Sequence, residues 1–451
     1  MRRTPLAILF FPLVLFIWLF GNQMEETPIE NVGRQVYLVQ TQDYPVERAK
    51  SWRYEVRVLA GADSTADYVG KRAYLYLGKD STRALPNRGD TLLVRTEWRD
   101  AGVLGTFDYS RYLRRQGIMG TGYASSYNWH QYGVCQSAPR DGKWLQHILR
   151  QRYVELGFSG HVLQTLSAMT LGYKEDLDND LRERFQRAGA AHLLAVSGLH
   201  TGILFAMIMG LLTCFGLRKP YLWQTKRRWI VGCSAIAFIW LYAVITGMSA
   251  SVTRSAIMLT VLQIGILLRR ESVSLNSLLA AGICILVVRP QELWSVGFWL
   301  SMMAVAGIFL LAVPVQQHLP YYHGPVGKVA NYVQGLIVVS VAAQIATLPI
   351  TLYCFGTTSN YFLITNLLLI PLAGVVIGAG LGSLLLGTVP LIGPIVVKCT
   401  GWVVEWTNTV ITTIESLPGS VSVIRTDARM MVLLYAAMVF GYLSIKKNNW
   451  W

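Results

Sequence analysis

What most restricts the folds open to this chain is a series of nine apolar windows, near 189–217, 229–248, 252–268, 274–288, 293–315, 330–355, 361–388, 390–416 and 430–445. A helix needs roughly 20 apolar residues to cross a bilayer, and most of these windows approach that length. A tenth window, residues 5–20 (PLAILFFPLVLFIWLF), follows Arg2 and Arg3. No small-x-small cleavage site comes after it, because Gly21-Asn22-Gln23-Met24 does not fit one. Residues 1–21 are therefore expected to be an uncleaved anchor with its N-terminus in the cytoplasm. With 53% hydrophobic and only 14% charged residues, the chain does not read as a string of soluble domains. The expected class is a polytopic α-helical membrane protein of about ten spans.

Residues 30–135 break this pattern. Between Ser51 and Ala60, Trp52, Tyr54, Val56 and Val58 alternate with Arg53, Glu55 and Arg57. A period of two marks a half-buried strand. Similar runs at 36–39, 73–77, 91–98 and 119–124 are separated by turn residues such as Gly61-Ala62-Asp63 and Pro86-Asn87-Arg88-Gly89-Asp90. Five strands, with a helical turn inside 105–118 before the last, predict a small all-β, OB-like barrel. Alternation puts Trp52 and Tyr54 on the face opposite Arg53 and Arg57, and core packing is the expectation for the first pair. Residues 143–187 read as amphipathic linker helices, in the membrane interface or solvated. The multi-span part is then 188–451.

The net charge of +15 suggests nucleic acid until it is partitioned. Residues 22–187 hold 23 Lys and Arg against 20 Asp and Glu, and residues 188–451 hold 15 against 5. Most of the excess lies in loops: Arg218, Lys219, Lys226, Arg227 and Arg228, then Arg269-Arg270, then Lys446-Lys447. Retaining these on the cytoplasmic side sets an N-in, C-in topology with the barrel outside. The six cysteines have no metal or redox spacing, so small buried side chains are expected.

Polar residues in the membrane half are the functional candidates, since such groups are costly in lipid. The decapeptide 191–200, AHLLAVSGLH, opens an apolar stretch and carries His192, Ser197 and His200. Ser197 and His200 share a helix face. A hydrolase would need an orienting acid, and no carboxylate lies between Glu183 and Glu271. Helix packing, channel lining and catalysis all stay open for the pair. Arg254 stands among hydroxyl residues at 246–255, where it either snorkels to the interface or contacts phosphate. Gln344 is an amide within an apolar span, with Asn366 as the expected partner. Acids are few in this half, which favours an anionic cargo. No metal or cofactor site is expected.

Five stretches carry a family resemblance: FDYSRYLRRQG (107–117), AHLLAVSGLH (191–200), SASVTRSAIM (249–258), RPQELWSVGFWLSMMAVAGI (289–308) and SVAAQIATLPITLYCFGTTS (340–359). In this order they resemble the ComEC family of competence proteins. The resemblance implies an inner-membrane channel that passes single-stranded DNA into the cytoplasm during natural transformation, with an extracytoplasmic OB-like domain. It makes His192, Ser197, His200, Arg254 and Gln344 candidate channel-lining residues. Arg53, Arg57, Tyr74 and Tyr76 become candidate DNA contacts in the barrel. No Gly-x-x-x-x-Gly-Lys-Ser/Thr loop is present to bind ATP, so a cytoplasmic ATP-driven motor is an expected partner. Many members also carry a metallo-β-lactamase-like domain. The seven histidines here hold no His-x-His-x-Asp-His cluster, so no nuclease activity is expected and a separate nuclease is an implied partner. Membrane lipid, single-stranded DNA and further copies of the chain complete the partner set. The alternatives are a membrane hydrolase using Ser197 and His200, and a small-anion transporter.

Overall fold

A computed structural model describes residues 6–21, 33–48, 50–61, 68–80, 83–104, 107–135, 141–194, 196–214, 225–268, 275–424 and 426–447. Two compact units emerge, one of residues 15–144 and one of residues 1–14 with 145–451. Helix α1 (Ala7–Gly21) begins in the second and ends in the first.

The sheet unit contains β1 (Gln35–Thr41), β2 (Val46–Glu47), β3 (Ser51–Ala60), β4 (Arg72–Gly78), β5 (Thr91–Thr96), β6 (Trp98–Arg99), β7 (Val103–Leu104), β8 (Phe107–Asp108), helix α2 (Tyr109–Arg115), β9 (Ile118–Ala124) and β10 (Trp129–Gly133). Strands occupy all five expected windows, and α2 precedes β9. The window 91–98 is interrupted at Glu97, which divides it into β5 and β6. The short strands β2, β7, β8 and β10 were not legible, because two-residue segments show no period and β10 exposes most of its residues.

The main sheet runs β10-β5-β1-β3-β4-β9-β6, with β2 on β3. Since β5 continues almost directly into β6, the path returns on itself. Only the β4–β9 pairing is parallel. Tyr37, Val39, Tyr54, Val56, Val58, Leu75, Leu77, Leu92 and Val94 fill the interior. Tyr54 is fully buried, and its hydroxyl donates to the Pro86 carbonyl at 3.2 Å. Trp52 packs half-buried at the edge of this core. The alternation in β3 thus assigns its faces as the sequence suggested.

The helical unit continues with α3 (Gly142–Glu155), α4 (Gly160–Leu171), α5 (Asn179–Arg187), α6 (Gly198–Cys214), α7 (Thr225–Ile245), α8 (Ala250–Leu267), α9 (Leu275–Val288), α10 (Val296–Gly307), a π-helical turn at Ile308–Ala312, α11 (Val313–His318), α12 (Gly324–Phe355), strand β11 (Thr357–Ser359), α13 (Phe362–Leu386), α14 (Gly393–Glu415), strand β12 (Val421–Val423) and α15 (Ala428–Lys447). Among the described residues, four helical stretches are long and apolar enough to cross a membrane: Ala250–Leu267, Val296–His318, Gly324–Phe355 and Phe362–Leu386. Shorter apolar helices occupy Ala7–Leu19, Gly198–Gly210, Trp229–Ile245, Leu275–Val288 and Ala428–Ser444. Together with the separate sheet unit they fit a membrane protein bearing a β domain.

Two elements differ from the sequence reading. The segment 143–187 is more than a surface linker, because α4 buries Leu163 and every residue from Thr165 to Leu171. With Leu181 and Phe185 of α5 it joins residues of α13 and α14 in one core. Its small and apolar side chains fit between helices, and charge is confined to its ends. Helix α14 lies on the window 390–416 but is amphipathic, exposing Lys398, Trp402, Glu405 and Trp406 while burying Val404, Thr407 and Ile411. Finally, β11 and β12 form an antiparallel ribbon joining the α12–α13 turn to the α14–α15 turn. Asn360 reinforces it by donating to the Gly419 carbonyl at 2.7 Å. The basic positions Arg218, Lys219, Arg269 and Arg270 lie outside the described residues.

Candidate functional site

Between α5 and α6 the described residues 188–194 and 196–197 are not helical, although buried helices surround them. Ala190 N–H still donates to Phe185 O at 2.7 Å, but Gly189 has φ of +80°, which ends α5 as glycine readily allows. A side chain at Gly189 would collide with Ser359 of β11. Thr365 of α13 donates to Ala188 O at 2.6 Å. Leu193, Leu194 and Val196 then anchor the segment in the core. Backbone that is not helical at membrane depth is tolerated where it is enclosed by protein or lines a water-filled path.

At its end, Ser197 stands one residue before α6 and His200 three residues after Ser197. The Ser197 backbone N–H donates to His200 Nδ1 at 3.3 Å, and Ser197 Oγ lies 2.9 Å from the same nitrogen. A backbone N–H can only donate, so Nδ1 is an acceptor and the ring proton sits on Nε2. His200 is completely buried, and Nε2 has no partner among the described residues. The pair resembles a capping box in which an imidazole takes the place of the carboxylate. A hydrolase base would need its second nitrogen held by an acid, and this Nε2 is not so held. Gly198 brings α6 against α8, since a Cβ there would sit 3.0 Å from Ser255 Oγ. His192 is exposed and takes no part in this pair's hydrogen bonds.

Gln344 of α12 reaches Thr358 Oγ1 at 3.5 Å, the limit of a hydrogen bond. The expected bond to Asn366 is not made, because the α12–α13 turn interposes Thr358. Asn366 Oδ1 and Ser359 Oγ are both buried without a partner among the described residues. Gln344, Thr358 and Ser359 therefore line up toward Gly189, connecting a candidate far along the chain to the same irregular segment.

Arg254 is neither a snorkelling side chain nor a free one. It is buried in α8, and its Nη1 donates to Glu292 Oε2 at 2.9 Å. Glu292 lies buried in the 3-10 turn Pro290–Trp294. Sequence reasoning missed this pair because 38 residues separate its members. The sign of a partner was there all the same, in a single acid beside a hydrophobic run.

In the sheet unit, register gathers the four candidates. Arg53 lies opposite Tyr76, Glu55 opposite Tyr74 and Arg57 opposite Arg72. The Arg53 guanidinium covers the Tyr74 ring at 4.7 Å, and Arg57 Nε donates to Gly70 O at 3.2 Å. Tyr123 of β9, unnoticed in the sequence, lies beside Tyr76 and is exposed. Arg53, Arg57, Tyr74 and Tyr76 thus share the outward face of β3 and β4, with Tyr123 extending it.

Comparison with known proteins bears on the helical unit most directly. ComE operon protein 3 of Bacillus subtilis (strain 168) is 28% identical over 361 residues, which is 77% of this chain and 42% of that protein. Uncharacterized protein YcaI of Escherichia coli (strain K12) is 23% identical over 329 residues, 70% of this chain and 42% of that protein. The chain thus spans well under half the length of these relatives. No solved structure matches it. Residues 169–448, from the buried end of α4 through α15, match the family described as competence protein, and the chain belongs to that family.

Proposed function

We propose that this protein is an inner-membrane channel admitting single-stranded DNA to the cytoplasm during natural transformation. The observation that carries the reading is the segment between α5 and α6, flanked by the buried His200 Nε2 and Ser359 Oγ, which have no partner among the described residues. A buried polar group left unpaired costs about 1–3 kcal/mol, so two beside one segment favour a hydrated or ligand-lined path. His192, Ser197, His200 and Gln344 are assigned to that path, with Arg254 holding the α8 side. The name of the Bacillus relative supports competence as the setting.

The sheet unit serves as an extracytoplasmic, OB-type receiving surface. Its returning strand path with one parallel pair supports that reading, as does the aromatic and basic face on β3, β4 and β9. On this proposal the chain is a pore and not a catalyst. A cytoplasmic ATP-driven motor supplies energy, a separate nuclease removes the second strand, and the protein works in lipid as a monomer or a homo-oligomer. The hydrolase reading is not favoured, since the acidless Ser197–His200 pair reads as a helix cap.

Uptake of labelled DNA in a deletion strain tests the proposal. Label is expected to accumulate outside the inner membrane and to stop reaching the cytoplasm, with entry largely restored by Ser197→Ala. Unchanged cytoplasmic entry in a competent host would overturn the channel. Complementation abolished by Ser197→Ala, with the protein present at normal level, would revive hydrolysis.

A further inference from the structure

An open cleft between α8 and the end of α9 is lined by Arg254, Ile257, Ile285, Val288, Arg289 and Glu292. Its charge does not cancel. Two arginines face one carboxylate, and Glu292 engages only Nη1 of Arg254. The Nε of Arg254 is buried and has no partner among the described residues, although the side chain is only 7% exposed. Nη2 is also closely confined, since a Cβ on Gly297 would approach it to 2.9 Å. Arg289 stands half-buried at the rim.

Position strengthens the case. Helices α7, α8 and α9 succeed one another as packed neighbours, so the 246–249 and 289–295 turns share one end of the bundle. The start of α7 and the end of α8, nearest in sequence to the basic runs 218–228 and 269–270, are at the opposite end. Orientation is set by Lys and Arg at that other end, so it does not account for Arg254 and Arg289. Guanidinium groups match phosphate geometry, and a buried one with an unused donor is a strong anion partner. The remaining wall is aliphatic, and beside it Val287 and Val288 are 64% and 71% exposed. The cleft is open and too small to enclose an organic ligand, so it suits a small anionic group whose apolar remainder lies outside.

We propose that the cleft binds the phosphate of an anionic phospholipid, with Arg289 and Arg254 on the headgroup and Ile257, Ile285 and Val288 along the first part of an acyl chain. The assignment gives the free donor of Arg254 to lipid, and the DNA path keeps His192, Ser197, His200 and Gln344. A DNA strand is the less apt occupant, because the aliphatic wall offers no ring on which a base could stack.

Native mass spectrometry of the full-length protein, released from detergent with added phosphatidylglycerol or phosphatidylcholine, tests it. Phosphatidylglycerol is expected to be retained preferentially. Arg289→Gln should weaken that retention about ten- to a hundredfold, the range expected for losing a charge-assisted hydrogen bond. Arg289→Lys should restore part of it, and the rim position leaves folding intact, as an unchanged melting temperature would verify. Equal retention of both lipids, or full retention in Arg289→Gln, would overturn the proposal. Displacement of phosphatidylglycerol by a single-stranded oligothymidine would reassign the cleft to DNA, and displacement by inorganic phosphate alone would remove the lipid from the assignment.

Discussion

Arg254 and Glu292 show how a single side chain can define a region. A buried ion pair is weak evidence for stability, since desolvation offsets much of the attraction, but removing one partner leaves a stranded charge. Arg254→Met should therefore destabilise the protein by about 3–5 kcal/mol, whereas Arg254→Met combined with Glu292→Met should recover most of that loss. Thermal melting of the purified variants measures both. An additive double variant would mean that the two residues act independently. This pairing was beyond the sequence, as a contact between a helix and a distant turn depends on how α8 and α9 pack. The Ser197–His200 contact was legible, because three residues along a helix fix proximity without tertiary information. The sequence did not tell which nitrogen is engaged; the direction of the Ser197 N–H does.

At the scale of elements, period and length were the readable quantities. Alternation assigned the faces of β3, and with its register it brought Arg53, Arg57, Tyr74 and Tyr76 together. Burial of α4 was not readable, since a helix of small apolar residues looks alike whether it lies on a surface or within a core. The entry to α3 makes a further prediction. Asp141 is held at about 2, chiefly by hydrogen bonds from Arg88, with the Trp144 backbone N–H and the charge of Lys143 contributing. Arg88 meets it with two nitrogens, at 2.6 and 2.5 Å. A carboxyl depressed below its unfolded value of 3.8 stabilises the fold fully above that value and loses the effect as pH falls toward 2. Wild type should therefore melt above Asp141→Asn at neutral pH, and the gap should close between about pH 4 and 2. Asp141 is 48% exposed, so the gap will be modest. A gap that is independent of pH would refute the assignment.

For the whole molecule, the two units carry different parts of the proposed task and can be tested separately. Tyr74→Ala with Tyr76→Ala in the full-length protein should weaken binding of a labelled single-stranded oligonucleotide. About 1–3 kcal/mol is expected per stacked base lost. Fluorescence anisotropy at two salt concentrations measures this, and the Arg53→Gln variant should mainly flatten the salt dependence. Unaltered binding in both variants would move the receiving surface elsewhere. Family membership was legible from short motifs, and three of them carry the polar residues Ser197 and His200, Arg254, and Gln344 that the helices enclose or join. Mechanically, the ribbon of β11 and β12 acts as a latch. With its ladder bonded and Asn360 fastened across it, the paired helices on either side are coupled like the two leaves of a closed clasp. Any widening of the protein during transport then has to come from sliding elsewhere, as along the seam where α6 meets α8, where Gly198 approaches Ser255 and no strand ladder resists.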